Sequence, residues 1–259
     1  MISFYRFFFG IFSILCAINT STAQIREDNF YVYDANWNGT DIKHAHYLVR
    51  TKKINDTSWQ WDTYAIYGPL IKTEYSRDAQ GNVAEGELYF YNSKGNIDSI
   101  TSYKKGLADG DWIYKNDTGR TKLTKTYKNG KLIKEVDNIK EDSIKNLEET
   151  NEEEEEENED EEIESEFPGG SKGWARYLNK NLKYPERAIN SSIEGVVRVG
   201  FIVDENGKII EPRIFRSVEF SLDEEALRMI KESPGWTPAI QKGKKVKSYK
   251  MQPIVFKLE

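Results

Sequence analysis

Gly195-Val196-Val197-Arg198-Val199-Gly200-Phe201-Ile202-Val203-Asp204-Glu205-Asn206-Gly207-Lys208-Ile209 is the stretch on which the fold turns. Val197, Val199, Phe201 and Val203 fall on one side of a period-two pattern, with Val196, Arg198, Gly200 and Ile202 on the other. Successive side chains of a strand point to opposite faces, so this pattern predicts a strand with one well-filled face. Asn206-Gly207 follows, a dipeptide that accepts the positive φ of a tight hairpin turn. Lys208 to Arg216 is therefore predicted to return as a second, antiparallel strand.

Upstream, Ser171 to Leu182 places Trp174, Leu178 and Leu182 on one helical face. Tyr184-Pro185 opens a second short helix, with proline in the first turn where its missing N–H costs nothing, and Gly195 closes it. Downstream, Ser221-Leu222-Asp223-Glu224 has the form of a capping box that launches a helix carrying Leu222, Ala226, Leu227 and Ile230. Pro234-Gly235 stops that helix, and Tyr249 to Leu258 forms the last strand. The predicted class is α+β: a small antiparallel sheet with two to three helices on one face, over residues 167–259. Trp174 and Trp236 are assigned to its core.

Residues 24–140 have a different texture. They are rich in Tyr, Trp, Thr and Gly, hold no proline but Pro69, and contain an internal repeat. Gly86-Glu87-Leu88-Tyr89-Phe90-Tyr91-Asn92-Ser93-Lys94-Gly95 returns as Gly110-Asp111-Trp112-Ile113-Tyr114-Lys115-Asn116-Asp117-Thr118-Gly119, and Tyr103-Lys104-Lys105-Gly106 as Tyr127-Lys128-Asn129-Gly130. A fixed period with glycine at the turns and aromatics between them predicts an all-β repeat domain of stacked hairpins. Residues 24–63, with Trp37, Trp59 and Trp61, are predicted to add edge strands to the same sheet.

Charge separates the two regions. Residues 141–166 carry a net −15, residues 167–259 carry +6, and the first 140 carry +3. The run Glu152 to Glu157 offers too little apolar surface to offset the entropy of ordering, so 141–166 is read as a disordered acidic linker. It abuts a basic domain, and is expected to fold back on the basic loop Lys242 to Lys247. At the N-terminus, Arg6, the apolar Phe7 to Ile18 and the small residues Ser21-Thr22-Ala23 have the order of an export signal over 1–23. Cys16 leaves with that signal, so no disulfide is expected in the mature chain.

Catalytic signatures are lacking. His44 and His46 are the only histidines, and neither a nucleophile elbow, a Walker loop nor a dinucleotide fingerprint occurs. The densest run of carboxylates lies in the linker, where nothing fixes the geometry that acid–base chemistry requires. The reading is of a non-enzyme with no cofactor and no metal. Nucleic acid is not an expected partner for an exported protein of net charge −6.

Two resemblances follow from these residues. The twenty-four-residue repeat resembles the MORN family of β-hairpin units, over about residues 64–133. Tyr184-Pro185, Ala188, Glu194-Gly195 with Val197, Val199, Phe201 and Val203, Gly207 with Ile209, Ala226, Trp236-Thr237-Pro238-Ala239 and Ile254-x-Phe256-x-Leu258 resemble the C-terminal domain of the energy transducer TonB. That resemblance implies a periplasmic domain that binds the N-terminal motif of outer-membrane TonB-dependent transporters by accepting it as an added strand, in support of energy-dependent transport. It implies a binding edge on the last strand, at Tyr249, Lys250, Met251, Gln252, Ile254, Val255, Phe256 and Lys257, with Tyr184 and Pro185 alongside. Pro253 removes one donor from that edge. If the N-terminus stays as an inner-membrane anchor, proton-channel proteins of that membrane become further partners. The alternative is a cell-envelope scaffold whose MORN-like repeats bind the main partner without energy coupling.

Overall fold

A computed structural model describes residues 28–138 and 162–258. The export-signal reading and most of the acidic tract lie outside the described residues. No helix among those described is long and apolar enough to cross a membrane.

The first region is one antiparallel sheet of ten strands. Its strands are β1 (Asp28–Tyr33), β2 (Tyr47–Asn55), β3 (Ser58–Ala65), β4 (Leu70–Ser76), β5 (Gly86–Tyr91), β6 (Ile97–Lys104), β7 (Leu107–Ala108), β8 (Gly110–Lys115), β9 (Thr121–Lys128) and β10 (Lys131–Asp137). They lie side by side in chain order, with β7 a two-residue pairing on β6. The twenty-four-residue repeat is reproduced in the backbone: Gly95 and Gly119 share φ 76° and 84°, and Lys105-Gly106 and Asn129-Gly130 share left-handed turns. The Asn92 and Asn116 side chains each accept from the N–H groups two and four residues on, holding equivalent turns. Residues 24–63 are expected to add edge strands to this sheet; of the described residues in that range, β1 is the edge strand and β2 and β3 follow it inward.

The second region is α+β. It contains α1 (Gly170–Asn181), α2 (Glu186–Asn190), β11 (Gly195–Val203), β12 (Ile209–Arg216), α3 (Phe220–Lys231), β13 (Ala239–Gln241), β14 (Lys244–Val246) and β15 (Ser248–Phe256). A three-stranded antiparallel sheet runs β12–β11–β15, with β11 in the middle. Val197, Val199, Phe201 and Val203 are fully buried, or nearly so, against Leu222, Ala226, Met229 and Ile230 of α3. The side of β11 that reads as filled in the sequence is the side the helices cover. Phe167, Trp174, Tyr177 and Trp236 pack ring on ring beside them, Phe201 meeting Trp236 at 5.0 Å.

Several local expectations are corrected. Gly195 does not end a helix: α2 stops at Asn190, Ser192 takes a left-handed φ of 51°, and Gly195 begins β11. Pro185 precedes α2 as its N-cap rather than lying in its first turn. The cap of α3 is Glu219, whose carboxylate accepts from the Ser221 N–H at 2.8 Å and hydroxyl at 2.5 Å. Glu224, the far member of the expected capping box, pairs with Arg50, and Asp223 beside it is buried and accepts from Ser217 Oγ at 2.5 Å and Val218 N–H at 3.1 Å. The basic loop is a hairpin of β13 and β14, turned by Lys242 and Gly243 at φ 52° and 71°.

The two regions share one hydrophobic cluster. Tyr64 meets the Phe220 ring edge-on at 5.4 Å, and buried Arg50 binds Asp62 on β3 at 2.6 Å and Glu224 on α3 at 2.7 Å. Ser217 Oγ accepts from Leu70 N–H at 2.7 Å, and the Tyr91 hydroxyl donates to the Ile214 carbonyl at 2.9 Å. The long antiparallel sheet thus serves as a floor for the α+β unit.

Candidate functional site

A three-stranded sheet has two borders, and this one treats them differently. The border of β12 meets the turn between β5 and β6: Asn96 bridges Arg216, and the Ser217 N–H donates to the Gly95 carbonyl at 2.9 Å. The border of β15 carries β11 on one side only, and no described strand pairs with its other side. An unpaired border presents a row of backbone donors and acceptors.

Side chains along β15 alternate strictly. Ile254 and Phe256 are 0% and 2% exposed, facing the helices, whereas Tyr249, Met251 and Val255 are 85%, 51% and 59% exposed on the opposite face. Lys250 and Gln252 are half-buried on the helix side, and Lys257 is exposed just beyond the strand. Ile254 and Phe256, expected at the partner interface, are core residues. Tyr184 is likewise occupied: its hydroxyl donates to the Ile193 carbonyl at 2.6 Å and its ring meets Phe256 edge-on at 5.7 Å. Burial raises the Tyr184 hydroxyl above its ordinary pKa. Pro185 accepts from the N–H groups of Ala188 and Ile189 through its carbonyl. Tyr184 thus packs under the end of β15, and Pro185 starts α2.

Sequence reasoning missed what borders β15 at its other end. Residues 163–166, assigned to the acidic linker, run antiparallel to 237–240: Ile163 and Ile240 exchange both backbone hydrogen bonds, as do Glu166 and Thr237. Glu162 accepts from the Gln241 amide at 2.8 Å, Ser165 shares a 2.6 Å hydroxyl contact with Ser248, and Lys250 donates to Glu164 at 2.6 Å. The end of the tract therefore reaches Gln241 and Lys250 rather than Lys242 to Lys247, because backbone pairing with β13 fixes its position. Lys250 holds the Glu164 carboxyl below the usual carboxylate range. Period and charge in the sequence give no sign of this pairing, since 163–166 alternates only over four residues.

The His44 ring lies 2.9 Å from Asp41 in an exposed loop, and no group of three or more potential ligands gathers among the described residues.

Fold and border together define a class: a small α+β domain, helices on one face, one sheet border open. Residues 180–258 match the family model described as Gram-negative bacterial TonB protein C-terminal. The match begins at the end of α1, later than the resemblance read from the sequence at 167, and covers the three-stranded sheet whole. No curated protein and no solved structure matches the chain.

Proposed function

We propose that this chain is a cell-envelope protein of TonB type whose C-terminal domain takes an extended segment of an outer-membrane transporter onto β15 and so supports transport across that membrane. The observation that carries this reading is the asymmetry of the two borders: β12 is capped by Gly95 and Asn96, and β15 is bonded on one side only. Strand addition uses the main-chain groups such a border exposes, with specificity from alternate side chains. The family match at 180–258 supports the same reading. A periplasmic location puts the domain within reach of the inward-facing ends of such transporters, and the export-signal pattern at 1–23 agrees with it.

The repeats, which resemble MORN units, act in this reading as a brace. Their sheet closes the β12 border and packs on α3, so of the two borders of the three-stranded sheet only that of β15 is left for a partner strand. Titrating the full chain with peptides from the N-terminal segments of outer-membrane transporters tests the proposal. Saturable binding that disappears when the peptide backbone is N-methylated is the expected result; absence of saturable binding to every such segment overturns it.

A further inference from the structure

We infer that Pro253 sets the phase of the β15 border, dividing it into a two-residue anchor at Tyr249 and Met251 and a weaker remainder, and that the anchor takes an extended peptide with apolar side chains at alternate positions and a carboxylate between them. This rests on the strand-addition reading and specifies the partner for it.

In an antiparallel pair, residues alternate between those that exchange both main-chain hydrogen bonds with the neighbour and those whose N–H and C=O point away from it. β15 keeps nine consecutive partners on β11 without a shift, and Arg198 opposite Pro253 is among them. A proline directed at β11 would leave the Arg198 carbonyl without its donor and interrupt the ladder there. Pro253 therefore lies in the outward phase. Period-two alternation puts Tyr249, Met251 and Val255 in that phase with it, while Ser248, Lys250, Gln252, Ile254 and Phe256 bond to β11. Tyr249 and Met251 offer the border a complete donor and acceptor each. Pro253 offers only its carbonyl, and Val255 stands alone beyond it.

The outward-phase residues are also those exposed on the helix-free face, Tyr249 at 85% and Met251 at 51%. Directly opposed residues of neighbouring strands share a face, so partner residues paired with Tyr249 and Met251 lay their side chains beside the phenol ring and the thioether. Apolar side chains suit those two positions. The partner residue between them projects to the helix side, where the Lys250 ammonium lies. Lys250 is only 23% exposed, and its present ligand is Glu164, a carboxylate 88% exposed. A groove of about 250 Å³ is lined by Glu162–Ser165 and Ser248–Lys250, with Ala239 and Val246 in its wall. The chain itself thus displays the group that Lys250 accepts, at the mouth of an open groove. A partner carboxylate replaces Glu164 there.

The test uses the full chain and two octapeptides of identical composition: one repeats Val-Glu-Val-Ser, the other places its valines consecutively. Calorimetric titration should show the alternating peptide binding more tightly. Pro253→Val restores the missing donor and should tighten that peptide about threefold to tenfold, the value of one added hydrogen bond. Glu164→Gln should tighten it by releasing Lys250, and Lys250→Gln should abolish the preference for Glu over Gln in the peptide. Equal binding of the two octapeptides, or an alternating-peptide affinity unmoved by both Pro253→Val and Glu164→Gln, overturns the phase and leaves strand addition standing. Failure of both octapeptides while transporter segments bind removes the pattern alone; failure of all of them removes the parent reading as well.

Discussion

The backbone N–H of Ser217 donates to the carbonyl of Gly95 at 2.9 Å, joining two residues over a hundred positions apart. Gly95 is also in the left-handed region at φ 76°, and a Cβ built there would lie 2.0 Å from the Ser217 carbonyl oxygen. Its repeat counterpart Gly119 has φ 84° and nothing within 4 Å of the same point. Gly95→Ala should therefore cost about 3 kcal/mol or more, combining left-handed strain with a clash at the joint, and Gly119→Ala only about 1–2 kcal/mol. Urea unfolding of the two variants measures the difference. Equal losses would mean that the turn does not close the β12 border.

Arg50 is 6% exposed and is shared by Asp62 on β3 and Glu224 on α3. Asp62 also accepts from Thr73 Oγ1 at 2.7 Å and from the Gln60 amide, so its carboxylate is enclosed. Arg50→Ala leaves that charge buried without its counter-ion and should cost about 3–5 kcal/mol. Glu224 is one-third exposed and is screened by solvent, so Glu224→Gln should cost under about 1 kcal/mol. Thermal unfolding checks both. A mild Arg50→Ala would show that water replaces the guanidinium.

Burial pushes the Asp223 carboxyl up to about 8, against an ordinary value of 3.8, with the nearby Glu219 charge acting in the same direction. The native state therefore holds a proton that the unfolded chain releases above pH 3.8. Stability from this group is complete below about pH 4, declines by about 1.4 kcal/mol per pH unit as pH rises, and is gone above about pH 8. Asp223→Asn keeps an acceptor for Ser217 and should flatten the decline over that interval. Unfolding free energies at half-unit steps from pH 4 to 9 test this; an unchanged slope in the variant would assign the decline to another group.

The parts of this structure legible in the sequence are those fixed by near neighbours. The alternation of Val197 to Val203 and the Asn206-Gly207 turn determine a hairpin wherever they occur, and the repeat of Gly86 to Gly95 at Gly110 to Gly119 carries its turn geometry with it. Asp223 shows the limit. Ser221-x-x-Glu224 obeys the spacing of a capping box, but Glu219 takes the cap, and Tyr64, which bonds the buried Asp223 beside Ser217, comes from a distant segment. The border of β15 is legible in the sequence as a strand, but not which face of its side chains is buried. Period two assigns Ile254 and Phe256 to one face and Val255 to the other, yet which face the helices cover depends on how α3 packs. The pairing of Ile163 with Ile240 depends on β13, whose three residues carry no pattern of their own.

β15 itself allows core and surface to be separated within one strand. Phe256 is 2% exposed, packs on Tyr184, and stands opposite Gly195 at the far end of the β11 ladder. Phe256→Ala removes a buried ring and leaves a cavity, costing about 3–5 kcal/mol. Tyr249 stands opposite Ile202, seven residues away on the same strand, with 85% of its surface in solvent. Tyr249→Ser removes almost no buried area and should change stability by no more than about 0.5 kcal/mol. Chemical denaturation of the two variants, read by tryptophan fluorescence, gives both values. A large loss for Tyr249→Ser would mean that its face is covered in solution, and β15 would then no longer be an open border.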